Sequence, residues 1–274
     1  MDKFKKRVQI SFNRNAESYD KFGIIQREVS TRMIERLSLI KIQPVNILDL
    51  GCGTGFLSEA LIKLFPESHI ISVDFAEDML RVCRRKSNKI TTVCADIEEL
   101  PFENNKFDLI ISSLTFHWCN DLYRTLLKSY NLLKNNGCLV FSSIGPDTLC
   151  ELHKTLKRID DCDHVNSFID MHHYGDALLK IGFTDPVVDN EKIIIEYETF
   201  SDVMKSIKKI GAGTLEYPSS KKFSKNDYKN MTNTYPKNNN SNYPVTYEVL
   251  YGLSWKKPKL NPRNNKDVIP IKEV

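Results

Sequence analysis

Residues 45–64 read VNILDLGCGTGFLSEALIKL. An apolar run ends at Asp49, glycines crowd residues 51–55, and apolar residues then recur at helical spacing. The order is strand, tight turn, helix. Glycine suits such a turn because it tolerates positive φ and lets backbone approach a ligand with no Cβ between them. At the start of the helix, backbone N–H groups are expected to point into the crevice beyond the strand ends.

The pattern continues outward from this unit. HIISVD is an apolar strand ending at Asp74, and EDMLRVCRRK follows as a helix with Met79, Leu80 and Cys83 on one face. ITTVCAD is a third strand ending at Asp96, and FDLIISS a fourth. DLYRTLLKSYNLLK carries Leu122, Leu126, Leu127, Tyr130 and Leu133 as an amphipathic helix, closed by Gly137, before a fifth strand, CLVFSSI. Nearly continuous apolar strands joined by helices predict an α/β fold, a mostly parallel sheet covered on both faces.

Beyond residue 145 the signals change. PDTLCELHKTLKRI and FIDMHHYGDALLKIGF read as helices, the latter closed by Gly182, with PVVDN and KIIIEY as strands after them. ETFSDVMKSIKKIGA is a further helix stopped by glycines. Residues 217–243 turn to Ser, Lys, Asn and Tyr, which predicts a surface loop with at most one helix. YPVTYEVLYGLSW returns as a strand, and the polar, proline-punctuated residues 257–274 read as a disordered tail.

Composition excludes several classes of protein. A net charge of +4 over 274 residues shows no dense basic patch for nucleic acid. No apolar run approaches the roughly 20 residues of a membrane span, and the basic start lacks the hydrophobic stretch of a secretory signal. The seven cysteines are scattered without a CxxC pair, which predicts free thiols, mostly buried, in a reducing cytoplasm and no metal site.

The loop is DxGxGxG rather than the GxGxxG of a dinucleotide site. Asp49 would repel a pyrophosphate, yet it could receive the amino group of a methionine moiety. Asp74, ending the second strand, is placed to accept both hydroxyls of a ribose, and Asp96 could hold an adenine amino group. A strand-end aspartate also serves as the N-cap of the next helix. Together, Asp49, Gly51, Gly53, Gly55, Asp74 and Asp96 resemble the nucleoside-binding motifs of Rossmann-like class I methyltransferases over about residues 45–144. The resemblance implies S-adenosylmethionine as cofactor, with contacts extending to Cys52, Phe75, Met79, Ile97 and Ser113. It also implies a seven-stranded sheet whose last strand is antiparallel.

For the methyl acceptor, SSLTFHWCND after the fourth strand is the informative stretch. His117 there reads as a base, a donor that positions the acceptor, or a half-buried ring beside Trp118. A hydroxyl acceptor needs a base; a carboxylate, already ionised, does not. The segments SFNRNAESYDKFGIIQREV, LCELHKTLKRIDDCDHVNSF, SIKKIGA and YPVTYEVLYG resemble the malonyl-acyl carrier protein O-methyltransferases of biotin synthesis, from about residue 12 to 255. That resemblance implies methylation of the free carboxylate of a malonyl thioester on acyl carrier protein, with malonyl-CoA as a variant substrate.

The same resemblance implies a helical lid over residues 1–44, with Tyr19 and Gln26 on one helix above the cofactor and Tyr19 and His117 at the reacting centre. It places the cofactor core at 45–198, a helical insertion with a low-complexity loop at 199–244 and the last strand at 245–256. Arg27, His117, Arg124, Asn166 and His172 are candidates to hold the carboxylate, although Arg124 also reads as a solvated helix face and Asn166 and His172 as caps or buried hydrogen-bonders. Lys205, Lys208 and Lys209 read as a docking face for an acidic carrier protein or as a charged helix face with no partner. Asn131 and Ser167 depart from the family, many members of which carry Arg there. Two other readings stay open: a quinone or phenol methyltransferase, and a relative of respiratory complex I assembly factors.

Overall fold

The computed structural model describes residues 2–160, 162–211, 213–217 and 223–258. Two helices open the chain, α1 (Lys3–Phe22) and α2 (Ile24–Ser38). The expected single helix carrying both Tyr19 and Gln26 is therefore two. It breaks at Gly23, whose ψ of 52° leaves the helical region while its N–H still reaches Tyr19 O at 2.7 Å.

The alternating unit follows as β1 (Asn46–Leu50), α3 (Phe56–Leu64), β2 (His69–Asp74), α4 (Glu77–Lys86), β3 (Ile90–Cys94) and β4 (Phe107–Ser112). A 3-10 turn at Phe116–Trp118 leads to α5 (Leu122–Leu132) and β5 (Leu133–Ile144). Gly137 does not cap α5. Helix passes directly into strand at Leu133, and Gly137 lies within β5, where a Cβ would meet Lys134 O at 2.9 Å. The second half adds α6 (Cys150–Lys157), α7 (Met171–Ile181), β6 (Thr184–Tyr197), α8 (Phe200–Lys209), α9 (Lys225–Thr234) and β7 (Tyr243–Lys256). Gly182 does close α7, at φ 107°.

PVVDN and KIIIEY are one strand rather than two, because β6 stays in register with β7 from Val187 to Tyr197. The sheet runs β3-β2-β1-β4-β5-β7-β6, with β1 to β5 parallel and β7 antiparallel to both its neighbours. Alternate side chains of β1 enter opposite layers: Ile47 packs beneath α2 and α3 with Met33, Leu37 and Leu61, and Leu48 and Leu50 pack with Phe107, Leu126 and Phe141. Each such fully buried side chain contributes about 1.5–3 kcal/mol. Strand order reverses between β1 and β4, and this switch point opens a crevice at their carboxyl ends. No helix among the described residues is long and apolar enough to cross a membrane. Of the expected tail, residues 259–274 lie outside the described residues.

Candidate active site

The glycine loop bends at three positive-φ residues, Gly51, Gly53 and Gly55. Four of its amides are taken up by neighbouring acceptors. Gly51 and Cys52 donate to Val73 O at 2.7 and 3.0 Å, Gly53 donates to Asp74 Oδ2 at 2.9 Å, and Gly55 donates to Cys52 O at 2.9 Å. The loop folds back on the end of β2 because those donors need partners once the carboxylate of Asp74 is buried beside them. What faces the crevice is the bare Cα of Gly53, with nothing within 4 Å of the place where a Cβ would stand.

Three cavities meet here, and Tyr19 lines all of them. The largest, about 600 Å³, runs over Gly53 between Asp74, Phe75 and Met79 on one side and Asp96, Ile97 and Trp118 on the other. A second, of about 460 Å³, continues past Gly53 to Asp49, Cys52, Gln26, Arg27 and Ser113. The third, about 420 Å³, is walled by Phe12, Ile25, Leu114, Trp118, Ile144 and Ile210, and holds His117, Gln26 and Tyr247. Gly55 lines none of them; it packs against Cys83, whose Sγ lies 2.4 Å from its would-be Cβ.

Polar groups in the first two cavities suit a nucleoside with an amino-acid end. Asp49 is buried, with Oδ2 accepting from Ser58 Oγ at 2.5 Å and Oδ1 unpartnered; Gln26 Oε1 is also buried and unpartnered. Burial pushes the Asp49 carboxyl up to about 7 and that of Asp74 to about 6. Asp74 Oδ1 accepts the Ala76 N–H at 2.8 Å, and the Phe75 amide also favours the charged carboxylate, which still has acceptor capacity for a further donor. Orphaned acceptors at one end, open space over Gly53 and Asp96 at the other fit S-adenosylmethionine: Asp49 would take its amino group, Asp74 its ribose hydroxyls and Asp96 its adenine amino group.

In the third cavity the His117 ring is half-buried, 5.1 Å from Trp118 and 5.9 Å from Phe168, centroid to centroid, with Nδ1 unpartnered. Apolar surroundings hold its pKa down to about 3, so the imidazole is neutral. Burial likewise drives the Tyr19 phenol above its usual range, and it stays protonated.

The structure does not bring together all the carboxylate-holding candidates. Arg27 lines the second cavity, but its guanidinium donates to Asp20 O. Arg124 is exposed on the outer face of α5, and His172 is exposed at the start of α7 with Nδ1 2.5 Å from Asp170. Asn166 donates to Thr214 O and accepts the Glu216 N–H, both at 2.8 Å, bracing two loops. None of these three lines any of the three cavities. Cys94 and Cys162 are exposed, not buried, although all seven cysteines are free. Sequence reasoning missed Lys5, which reaches Asp96 and lines the cavity over Gly53; nothing local distinguishes it from the neighbouring Lys3 and Lys6.

A doubly wound sheet of this order, with that loop and those acidic strand ends, defines a class I S-adenosylmethionine-dependent methyltransferase. Residues 48–141 match the family described as "Methyltransferase domain". Malonyl-acyl carrier protein O-methyltransferase of Gallionella capsiferriformans is 39% identical over 96% of this chain and 93% of its own length. The enzyme so named in Laribacter hongkongensis is 37% identical over the same shares. This chain belongs to the malonyl-acyl carrier protein O-methyltransferase family. Among solved structures, the YcgJ protein of Bacillus subtilis aligns with a TM-score of 0.59 at 14% identity, over 84% of this chain and 100% of that one. Phosphoethanolamine N-methyltransferase 2 of Haemonchus contortus, solved with S-adenosyl-L-methionine, aligns at 0.53 and 20% identity, over 84% of this chain and 52% of that one. Both likenesses show the fold.

Proposed function

We propose that the chain methylates the free carboxylate of a malonyl thioester carried on acyl carrier protein, giving the methyl ester for biotin synthesis. The observation that carries this reading is the acceptor cavity, whose walls are apolar and whose polar side chains, Tyr19, Gln26, His117 and Tyr247, include no strong base. A phenol or quinol, with a pKa of about 10, would need a far stronger base to surrender its proton. A carboxylate arrives ionised. The apolar walls strip water from it, and the neutral groups of Tyr19, Gln26 and His117 can orient it without tying up its lone pairs in an ion pair. The cofactor supplies an electrophilic methyl group on a sulfonium, and in-line attack by a carboxylate oxygen leaves S-adenosylhomocysteine with no proton to move.

The names of the relatives support the carrier protein as the bearer of the thioester. Ile210, at the end of α8, lines the acceptor cavity, so the exposed Lys208 and Lys209 before it and Lys205 a turn earlier stand near its rim. That charge suits an acidic carrier protein, and free thiols suit a cytoplasmic setting.

Labelled S-adenosylmethionine, incubated with the enzyme and malonyl-loaded carrier protein, should give a base-labile methyl ester on the carrier. Methylation of a catechol or quinol with the carrier untouched would overturn the reading; labelling of malonyl-CoA alone would keep the chemistry and change the partner. Rescue of a biotin-requiring strain that lacks its own methyltransferase separates this function from that of an assembly factor, which should not rescue.

A further inference from the structure

Lys5 stands in the first turn of α1, yet it is only 5% exposed. Its ammonium lies 2.7 Å from both carboxylate oxygens of Asp96, and it also contacts Glu98. Glu98 in turn accepts the backbone N–H groups of Asn120 and Asp121 at 3.3 and 2.9 Å. Asp2 caps α1 through the Lys5 N–H and accepts from Asn120 Nδ2 at 2.6 Å. One buried cation thus ties the first turns of α1 to the loop after β3 and the loop before α5. Those three segments are walls of the cavity over Gly53, where Lys5, Asp96, Ile97, Trp118 and Cys119 come together.

The charges do not cancel: one ammonium faces two carboxylates. Asp96 Oδ1 also accepts the Glu98 N–H at 3.0 Å, whereas Oδ2 has only Lys5 among the described residues. A partly buried carboxylate with acceptor capacity to spare favours a further donor, and an exocyclic adenine amino group is a neutral donor of that kind. Another contact of α1 with the core is an exposed ion pair, Arg85 with Glu17 at 2.5 Å. Solvent screens such pairs; it screens Lys5 far less.

We propose that Lys5 is a positioning residue for the cofactor, whose ammonium latches α1 over the adenosine cavity and aims Asp96 at the adenine amino group. Closure of α1 and retention of the cofactor are then one coupled event. By linkage, whatever the latch adds to cofactor affinity, the bound cofactor adds to the docking of α1. The proposal rests on the cofactor and is independent of which acceptor is methylated.

Calorimetry with S-adenosylhomocysteine should show about tenfold weaker binding to Lys5→Met, largely recovered in Lys5→Arg. Hydrogen exchange across residues 3–22 should slow when the same ligand saturates the unmodified enzyme, and slow far less in Lys5→Met. A general loss of stability would not be restored by arginine, nor would it erase ligand-dependent protection of one helix. Binding to Lys5→Met within twofold of the unmodified enzyme would overturn the proposal. Should that variant not fold, exchange in the unmodified enzyme decides: no slowing of residues 3–22 on binding overturns it equally.

Discussion

Asp49 and Asp74 carry a cost in the folded chain that a bound donor relieves. Their folded pKa values, about 7 and about 6, stand above the ordinary 3.8. Between the ordinary and the folded value the folded chain holds protons that the unfolded chain lacks. The stability each carboxyl contributes is therefore present at acid pH and lost as pH rises through the folded pKa. Donors from the cofactor favour the ionised forms, so binding should expel protons. The affinity for S-adenosylhomocysteine should climb from about pH 5.5 to 7.5, on the order of tenfold for each carboxyl whose pKa falls by one unit. Calorimetry near pH 6 in two buffers of different ionisation enthalpy reads this directly; identical heats would show that neither carboxyl changes state. His117 runs the other way. With a folded pKa of about 3 against an ordinary 6.5, it withholds a proton that the unfolded chain takes up. Stability is therefore lost as pH falls below about 6.5, and His117→Asn should flatten that acid limb in urea titrations.

At the level of the strand–loop–helix element, the sequence announced a ligand turn, but it did not say which glycine does what. All three loop glycines adopt positive φ, so each alanine substitution costs about 1–2 kcal/mol in backbone strain. Their surroundings then separate them. A methyl at Gly55 collides with Cys83 of α4, so Gly55→Ala should lose about 2–4 kcal/mol of stability, read in denaturant. A methyl at Gly53 meets no protein atom and would enter the cavity lined by Asp74 and Asp96. Gly53→Ala should melt only a few degrees below the parent, while the thermal shift given by S-adenosylhomocysteine disappears. If Gly53→Ala keeps that shift, the cofactor does not cross the loop there. The spacing of residues 45–64 made the turn legible because period and glycine are local signals. The fold-back of its amides onto Val73 and Asp74 was not legible, since it depends on partners from the next strand. Reading Gly137 as a cap failed for a related reason. A glycine after an amphipathic run looks like a helix stop, but this one lies in β5 across from Lys256.

Across the whole molecule, the cavities are closed by segments far apart in the chain. Lys5 meets Asp96 across 91 positions, and Asn166 meets Thr214 across 48. Periodicity carries no trace of such pairings, which is why the sheet and the acidic strand ends could be read while the partners of Lys5 and Asn166 could not. Asn166 braces the acceptor side. Its amide joins the loop of residues 162–170 to residues 214–216, and Arg7 of α1 grips that second segment through Leu215 O and Glu216 O at 3.0 and 2.9 Å. The first loop carries Phe168, whose ring meets His117 edge-on. Asn166→Ala removes two hydrogen bonds and should lower stability by about 1–3 kcal/mol. Its functional effect should fall on one substrate only. The Asp49–Asp74 cradle does not touch either loop, so the affinity for S-adenosylhomocysteine should hold, whereas KM for the malonyl carrier should rise severalfold as Phe168 and His117 lose their fixed spacing. Titration calorimetry and initial rates on one preparation test both halves. A parallel loss of cofactor affinity would make Asn166 a general brace of the lid, and an unchanged carrier KM would detach these loops from the acceptor site.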